Sequence, residues 1–544
     1  MPFEYGLLSF TAINTALLKS HFDQNVHQFL ENTCIRAEYL PGFQRFSQEH
    51  SSPSSRLVFH RANSLVNIKA LLVLPQKVGC VDPRQIGDAA LLMNEFMAGH
   101  QFRQEETRPD DLDLVVEFAA SWELYNPVEI GHGISRVALM IQELCSVDEG
   151  IEQQRLALGI DPATITFDGL SLSTYQAVIF GLFAHVNAAS AQVVLGNPGA
   201  CGFDRLEFLR EVELPQDHLD TFLRHRSLSV NDLRRKINPE GLESDTDLLQ
   251  RMLEDQTFTN DFTVFRQYPL VNLTGDKHFI LDYYFLAELL IYGLYWHIFD
   301  SLPGNLREDF SSLWGQLFER YVSNLLCNFY GGESHLSPLR TNLPYDRGEI
   351  DAVLDFGSDV VLFECKASLL SRAAKYNRDR GLFEREIYEK FVQSPRGSPK
   401  ALRQLARAVS SALNGRLPVN GGSNFYPVLI AYEPILESFG INEYLDRLFQ
   451  SELREANRRV WPLTVLSIDE LEEILPYFAA NDWSWPAFLL DRFGDHRRVP
   501  GYSVHQSLHN FRSQNGIPRR VNKFVMRKFD EVYTAMLREY RGVH

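Results

Sequence analysis

The chain lacks several features that would mark a secreted, zinc-binding or ATP-driven protein. Only 6 of its 544 residues are cysteine, and they show neither a C-x-x-C pair nor a histidine spacing typical of zinc sites. So few cysteines in so long a chain indicate a reducing, intracellular environment. The N-terminus has no basic segment followed by an apolar one, so we expect no secretory signal. No G-K-[ST] phosphate loop is present, so ATP-driven translocation would need a separate subunit.

Uninterrupted membrane-spanning runs are also missing. Residues 279–299 are apolar, but Asp282, Glu288 and His297 interrupt them, and residues 170–195 contain recurrent Ser, Thr, Gln and Asn. Because a charged group is costly inside a bilayer, both stretches are better interpreted as buried core helices. We therefore expect a cytoplasmic protein with no membrane partner.

The length of the chain is too great for one hydrophobic core, and no internal repeat is evident. Apolar residues at helical spacing predict a mostly helical region over 1–300, which a break near residue 100 would divide into two subdomains. Pro303-Gly304 marks a domain boundary. Helix and strand patterns alternate over 305–475, and residues 476–544 are basic and helical in pattern. The predicted fold class is α+β, with several domains.

Two short apolar runs in the first hundred residues, RLVFH and IKALLVLP, predict a pair of strands. No motif assigns an activity to residues 1–300. We therefore interpret this region as a regulatory or recognition region.

The most informative segment is Gly348–Ala367, with the sequence GEIDAVLDFGSDVVLFECKA. Alternating apolar residues predict a strand over Ile350–Phe356, and Gly357–Asp359 has the composition of a turn. A second apolar strand follows over Val360–Phe363. The segment therefore predicts a β-hairpin.

This hairpin would gather carboxylates and a lysine at the end of an apolar strand. Glu364 and Lys366 share a face because they are two residues apart, while the Cys365 side chain points to the opposite face. Asp351 can lie across the hairpin from them, with Glu349 as an alternative acidic partner. Because such charges are costly to bury alone, a divalent cation is expected to hold the carboxylates. Oxygen ligands favour Mg²⁺ or Mn²⁺ over zinc.

The spacing D-x12-E-x-K of Asp351, Glu364 and Lys366, with its G-E-I-D-A-V lead-in, resembles the PD-(D/E)xK nuclease superfamily. Ile350 stands where the family name has proline. The resemblance implies a restriction-endonuclease-like fold in which Asp351, Glu364 and the backbone carbonyl of Cys365 ligate the metal. It also implies that Lys366 orients or helps to activate the attacking water during phosphodiester hydrolysis.

Two helices flank the hairpin in the order that the resemblance implies. Upstream, SSLWGQLFERYVSNLLCNFY resembles the first core helix and would place Glu319 near the metal. Downstream, SPKALRQLARAVSSAL contains Gln404, which resembles a glutamine that some members bring to the site; Arg403 and Arg407 are alternatives for that positioning role. Lys400 and Arg403 are also candidates for phosphate contact.

The remaining elements complete the predicted core. FYPVLIAYEP and VWPLTVLSI predict two further strands, and DELEEIL predicts a helix after the second. The order is αβββαβ, followed by one more strand and helix. We thus expect a mostly helical N-terminal region, a restriction-endonuclease-like core and a basic helical C-terminal tail.

Positive charge is concentrated next to this core, although the whole chain carries a net charge of -17. Residues 366–416 contain twelve Lys and Arg against four Asp and Glu, and residues 491–544 contain eleven against five. We expect Arg372, Lys375 and Arg378 to contact a phosphate backbone, although a solvated helical face is the alternative interpretation. The basic tail either contacts nucleic acid or docks on the acidic N-terminal region.

The leading hypothesis is a metal-dependent DNA endonuclease. A small nuclease core fused to a large acidic helical region is typical of prokaryotic restriction and phage-defence proteins, an argument by analogy. The alternatives are a nucleic-acid-binding or scaffold protein with a silent core, and an RNase or structure-specific resolvase. A homodimer and a separate regulatory or ATPase subunit are both compatible with the sequence.

Overall fold

The structure of the chain is a computed structural model. It describes residues 61–73, 112–125, 129–146, 148–161, 165–194, 202–212, 214–239, 251, 256–331, 338–346, 348–377, 379–419, 423–453, 457–480, 483–494, 497 and 499–541. The predicted strand RLVFH and the candidate residue Arg378 lie outside these residues. Among the described helices, none combines the length and the apolar character needed to cross a membrane.

The described chain up to residue 301 is mostly helical, as predicted. Its helices are α1 (Arg61–Val73), α2 (Leu112–Tyr125), α3 (Ile130–Leu144), α4 (Glu149–Ala157), α5 (Leu172–Val194), α6 (Arg205–Val212), α7 (Gln216–Arg226), α8 (Val230–Ile237), α9 (Gln256–Asn260), α10 (Thr263–Gln267), α11 (Tyr283–Ile291) and α12 (Gly293–Ser301). Its strands are β1 (Thr166–Phe167), β2 (Leu170–Ser171), β3 (Gly202–Asp204), β4 (Ser227–Ser229), β5 (Leu270–Thr274) and β6 (Lys277–Ile280). Strands β1 and β2 pair with each other, and the other four form a sheet in the order β3-β6-β5-β4.

The predicted strand IKALLVLP is wrong over its described residues. Residues 68–73 belong to α1, in which Leu65, Ile68 and Leu72 are buried at helical spacing. A short apolar run is compatible with a strand or a buried helix, and here the residues before it extend the helical pattern.

From residue 304 onward helices and strands alternate, and three helices follow. The elements are a 3₁₀ turn (Gly304–Leu306), α13 (Arg307–Tyr330), β7 (Leu339–Tyr345), β8 (Gly348–Asp355), β9 (Asp359–Lys366), α14 (Arg372–Tyr376), α15 (Arg380–Ile387), a π-helical turn (Tyr388–Val392), α16 (Ala401–Leu413), β10 (Asn424–Ala431), a 3₁₀ turn (Pro434–Glu437), α17 (Ile441–Glu452), β11 (Thr464–Ser467), α18 (Ile468–Ala479), α19 (Trp485–Phe493), α20 (Val504–Asn515) and α21 (Lys523–Arg541). The β-hairpin and the helical C-terminal tail are confirmed. The predicted helices and strands occur in the predicted order, but α14 and α15 precede α16, and α17 separates β10 from β11; these three helices were not predicted.

Strands β7 to β11 form one mixed sheet in the order β11-β10-β9-β8-β7. Strands β7, β8 and β9 are antiparallel neighbours, whereas β10 and β11 run parallel to β9. Helix α16 packs on the face that carries Val360 and Leu362 of β9 and Leu429 of β10. On the opposite face, Phe363 contacts Trp485 of α19 with ring centroids 5.3 Å apart. The structure therefore has the α+β class that the sequence predicts.

The chain divides into two compact units at other positions than the sequence predicts. The N-terminal unit comprises residues 1–107, 163–297 and 534–544, and the C-terminal unit comprises residues 108–162 and 298–533. The stretch 108–162, which we expected in the N-terminal region, therefore belongs with the central sheet. Most of the predicted tail belongs to the C-terminal unit as well.

Helices α2 and α3 are part of the C-terminal unit because both bury side chains in it. Val115, Val116 and Ala119 of α2 belong to the same buried cluster as residues of the central sheet. In α3, Arg136 is completely buried, and its Nε donates a hydrogen bond to Glu472 Oε1 of α18 at 2.9 Å. A buried arginine requires such a partner.

Glu472 is the centre of this buried polar network. Tyr321 of α13 donates its hydroxyl hydrogen to Glu472 Oε1 at 2.6 Å, and His132 Nδ1 lies 3.4 Å from Glu472 Oε2. The guanidinium of Arg136 also pairs with Asp469. The network thus ties α3, α13 and α18 together within the C-terminal unit.

Candidate active site

The β-hairpin opens at the position of Asp351. Strands β8 and β9 pair from Asp355 opposite Val360 as far as Ala352 opposite Phe363. One residue beyond this pairing, the Asp351 side chain replaces a strand partner: its Oδ2 accepts a hydrogen bond from the backbone N–H of Cys365 at 2.6 Å. The carboxylate of Asp351 therefore lies against the end of β9, next to Glu364 and Lys366. The turn that closes the hairpin contains Gly357, whose φ of +87° favours glycine.

Glu364 is a buried carboxylate that lacks a full set of partners. Only 4% of its surface is exposed, and its Oε2 has no hydrogen-bond partner among the described residues. Buried polar atoms are almost always paired, so an unpaired carboxylate oxygen indicates that a cationic or hydrogen-bonding group binds there. Lys366, two residues on, shares the face of Glu364 and is partly exposed.

Burial and mutual repulsion keep the carboxyl groups protonated to unusually high pH. Desolvation raises the pKa of Asp351 to about 6; its backbone hydrogen bond and the charge of Lys366 oppose the rise, and the charge of Glu349 adds to it. Desolvation, with repulsion from Asp351 and Glu319, raises the pKa of Glu364 well above its ordinary value. These carboxyl groups therefore take up protons when no cation neutralises them.

Glu319 of α13 belongs to the same electrostatic cluster. Its side chain is exposed to solvent, although desolvation of the carboxyl group and repulsion from Asp351 raise its pKa to about 7. Burial lowers the pKa of Lys366, and the nearby charge of Lys400 lowers it further. The structure thus brings together Asp351, Glu364, Lys366 and Glu319. Glu349 lies exposed on β8, at the edge of the cluster.

The donor set fits an oxygen-preferring divalent cation. Asp351, Glu364 and Glu319 supply carboxylate oxygens, and the backbone carbonyl of Cys365 lies between two of the site residues in sequence; the Cys365 side chain is buried on the opposite face. Carboxylate and carbonyl oxygens are the ligands of Mg²⁺ and Mn²⁺. In the part of the chain that the structure describes, no three His, Cys, Asp or Glu side chains already form a ready-made metal site. The fit depends on the donor chemistry and on the unpaired oxygen of Glu364.

Helix α16 borders the site with one row of side chains. Gln404 and Arg407 are three residues apart and therefore lie on one side of the helix, and Lys400 is the residue immediately before its first turn. The hydroxyl of Tyr345 on β7 donates a hydrogen bond to the backbone carbonyl of Gln404 at 3.3 Å, which holds the middle of the row against β7. Tyr345 was not among the predicted residues; the only sequence signal was its position just before the hairpin.

The other predicted phosphate contacts have different surroundings. Lys375 is mostly buried, with its Nζ 2.8 Å from a carboxylate oxygen of Glu123 and 2.8 Å from one of Glu433. Arg403 forms two hydrogen bonds of 2.7 Å with the carboxylate of Glu452. Arg372 is exposed on α14. The structure therefore commits Lys375 and Arg403 to ion pairs within the fold rather than to the site.

One end of the central sheet thus carries a buried, partly unpaired carboxylate with further carboxylates around it and basic residues at its border. Asp351, Glu364 and Glu319 are the candidate cation ligands, and Lys366 is the basic residue nearest to them in sequence. Comparison of the chain with protein-family models, with curated proteins and with solved structures finds no match.

Proposed function

We propose that this protein is a metal-dependent nuclease that hydrolyses phosphodiester bonds, with DNA as its substrate. The observation that carries the proposal is the buried carboxylate of Glu364, whose Oε2 is unpaired beside Asp351 and Lys366. Unpaired buried carboxylates destabilise a fold, so a protein that has one is expected to use it. The D-x12-E-x-K spacing points to the same chemistry.

The order of elements supports a restriction-endonuclease-like core. Helix α13, strands β7 to β9, helix α16 and strand β10 follow one another in the order that the resemblance implies. Strand β10 then adds to the sheet parallel to β9, next to the strand that ends at Glu364 and Lys366. A role in prokaryotic restriction or phage defence is part of the proposal, by analogy with fusions of similar layout.

In this proposal the carboxylates bind the metal ion and Lys366 acts on the water and the phosphate. Asp351 and Glu364, with the carbonyl of Cys365, would hold Mg²⁺ or Mn²⁺, and Glu319 would complete the set. A bound ion of this kind polarises a phosphate and lowers the pKa of coordinated water. Lys366, whose pKa burial lowers, positions the attacking water by hydrogen bonding and offsets charge on the phosphate.

The proposal predicts metal-dependent cleavage of DNA. Supercoiled plasmid, linear duplex, single-stranded DNA and RNA of one sequence should be incubated with the protein in Mg²⁺, Mn²⁺ or EDTA. We expect nicked and linear plasmid products with either metal, none in EDTA, and none from Lys366→Met. The matched control is Lys277→Met, an exposed lysine of the N-terminal unit, which should cut like wild type. If only RNA is cleaved, the substrate is RNA rather than DNA. If no nucleic acid is cleaved, the proposal that the protein is a nuclease is refuted.

Metal binding is expected to strengthen as pH rises from about 5.5 to about 8. A cation must displace the protons held by carboxyl groups whose pKa is raised, about 6 for Asp351 and about 7 for Glu319. Below those values, each displaced proton weakens binding about tenfold per pH unit. Calorimetric titration with Mn²⁺ in two buffers should detect more proton release at pH 6 than at pH 8, because Asp351 and Glu319 have lost their protons by pH 8. Glu319→Gln should give a shallower dependence; equal affinity at both pH values would contradict the prediction.

A further inference from the structure

Helix α16 and the residue that immediately precedes it carry two basic side chains at the border of the candidate site. Lys400 and Arg407 are seven residues apart, and Gln404 lies between them on the same side of the helix. Each is only partly exposed, and each is next to a residue buried against the sheet, Ala401 and Ala408 respectively. The row therefore runs along the edge of the buried stripe rather than over the outer surface of the helix.

The two ends of this row lie next to different parts of the site. At one end, the charge of Lys400 acts on Lys366. At the other end, Arg407 acts on the phenol of Tyr345, which also lies in the field of Glu364 and Asp351. At 1.5 Å per residue, the backbone positions of Lys400 and Arg407 are about 10 Å apart. Both ends of the row are thus within electrostatic reach of residues of the site.

Both basic groups are available for an anion. Within the described residues, neither the Lys400 nor the Arg407 side chain forms a hydrogen bond or an ion pair. Most other basic residues of the segment 366–416 are paired with a carboxylate. These are Lys375, Arg380, Lys390, Arg396, Arg403 and Arg416. Half-buried cations without an acidic partner favour an exogenous anion.

The backbone of Lys400 is held in place independently of any ligand. Its N–H donates a hydrogen bond to the carbonyl of Val392 at 2.9 Å, and Gln393 bridges to Pro399 just before it. Arg403 supports the same turn, because its guanidinium donates to the side-chain oxygen of Gln393 as well as to Glu452. Lys400 is therefore presented on a braced turn, whereas Arg403 braces that turn.

We infer that Lys400 and Arg407 bind two different backbone phosphates of a nucleic-acid strand, one on each side of the phosphodiester to be cleaved. The inference depends on the proposed nuclease function and names its substrate class: a polynucleotide strand, not an isolated phosphodiester. Tyr345 and Gln404 are positioning residues that hold the row against β7. Phosphate contacts from Lys and Arg are independent of base sequence.

The test compares binding and cleavage in the full-length chain. Binding of a fluorescent DNA oligonucleotide should be measured as a function of salt in Glu364→Gln, a background that does not cut, with Ca²⁺ present. Adding Arg407→Gln or Lys400→Gln should weaken binding about tenfold at low salt and reduce the salt slope by about 1. Arg407→Lys should restore most of the affinity. Arg416→Gln is the matched control: Arg416 pairs with Asp346 and lies outside the row, so this variant should leave the salt slope unchanged.

A second substrate separates this inference from the proposed function. Bis(p-nitrophenyl) phosphate has one phosphate and no flanking ones, so Arg407→Gln should lower cleavage of the oligonucleotide about tenfold more than it lowers hydrolysis of this small substrate. If wild type hydrolyses neither substrate, the nuclease proposal fails. The salt dependence of oligonucleotide binding still tests the two phosphate contacts in that case. An unchanged salt slope in both variants, with the folded state verified by circular dichroism, refutes the inference whatever the cleavage result.

Discussion

Glu364→Gln is expected to lose DNA cleavage by about a thousandfold or more and, in EDTA at pH 8, to be more stable than wild type. The amide cannot supply the negative charge that a divalent ligand set requires, which accounts for the loss of activity. The gain in stability has a separate cause. At pH 8 the wild-type fold must either bury the ionised carboxylate of Glu364 or take up a proton from dilute solution, and the amide avoids both.

The sign of the pH dependence follows from the raised pKa of Glu364. The folded state binds a proton that the unfolded state releases near pH 4.3, so the free energy of unfolding of wild type falls as pH rises above about 4. The free energy of unfolding of Glu364→Gln does not fall for this reason, because the amide does not titrate. The two proteins should therefore be similar at pH 4.5 and should differ by about 1–3 kcal/mol at pH 8.

Urea unfolding in EDTA at the two pH values, together with a plasmid cleavage assay in Mg²⁺, measures both effects. The matched control is Glu207→Gln, an exposed glutamate of α6, which should change neither stability nor cleavage. A variant that still cut DNA would remove Glu364 from the site. A variant that was less stable than wild type at pH 8 would show that the carboxylate stabilises the metal-free fold.

Arg136→Met is expected to destabilise the C-terminal unit by about 3–5 kcal/mol, although the residue is far in sequence from the candidate ligands. Glu472 has no exposed side-chain surface and would lose its guanidinium partner; among the described residues, Tyr321 and His132 would remain as partners of the buried carboxylate. The double variant Arg136→Met/Glu472→Gln should recover part of the loss, because it removes the unpaired charge as well. A fragment starting at residue 305 lacks α2 and α3 and should not fold.

Urea unfolding of the two single variants and the double variant gives the coupling energy directly. Arg320→Met is the control: Arg320 is partly exposed, and its ion pair with Asp148 at 2.9 Å is at the surface, so its loss should change stability far less than the loss of Arg136. Equal losses from Arg136→Met and Arg320→Met would show that the buried network does not hold α3 in the C-terminal unit. A folded fragment 305–544 would lead to the same conclusion.

The elements that could be predicted are those whose determinants are close together in sequence. The hairpin of β8 and β9 alternates polar and apolar residues around a glycine turn, and the D-x12-E-x-K spacing depends on that hairpin alone. The site therefore follows from about twenty consecutive residues, with Glu319 added by the resemblance.

The failures concern contacts between residues that are distant in sequence. In the sequence, Lys375 is one of the basic residues next to the core. In the structure it pairs with Glu123 of α2, some 250 residues earlier in the chain. Arg403 is paired by Glu452 of α17 in the same way. Counting charges along a segment therefore overestimates the basic groups that a ligand can reach. The assignment of α2 and α3 to the C-terminal unit was missed for the same reason, since Arg136 has no local signal of its burial.

The separation of Arg136 from Glu472 also bears on how the protein is made. The two residues are 336 positions apart, and the ribosome adds about 5–20 residues per second. Arg136 therefore leaves the ribosome on the order of half a minute before its partner exists. Residues 163–297 must be synthesised before residues 108–162 can pack against the rest of their unit, which begins at residue 298. The buried network that joins α3, α13 and α18 consequently cannot form before residue 472 has been synthesised.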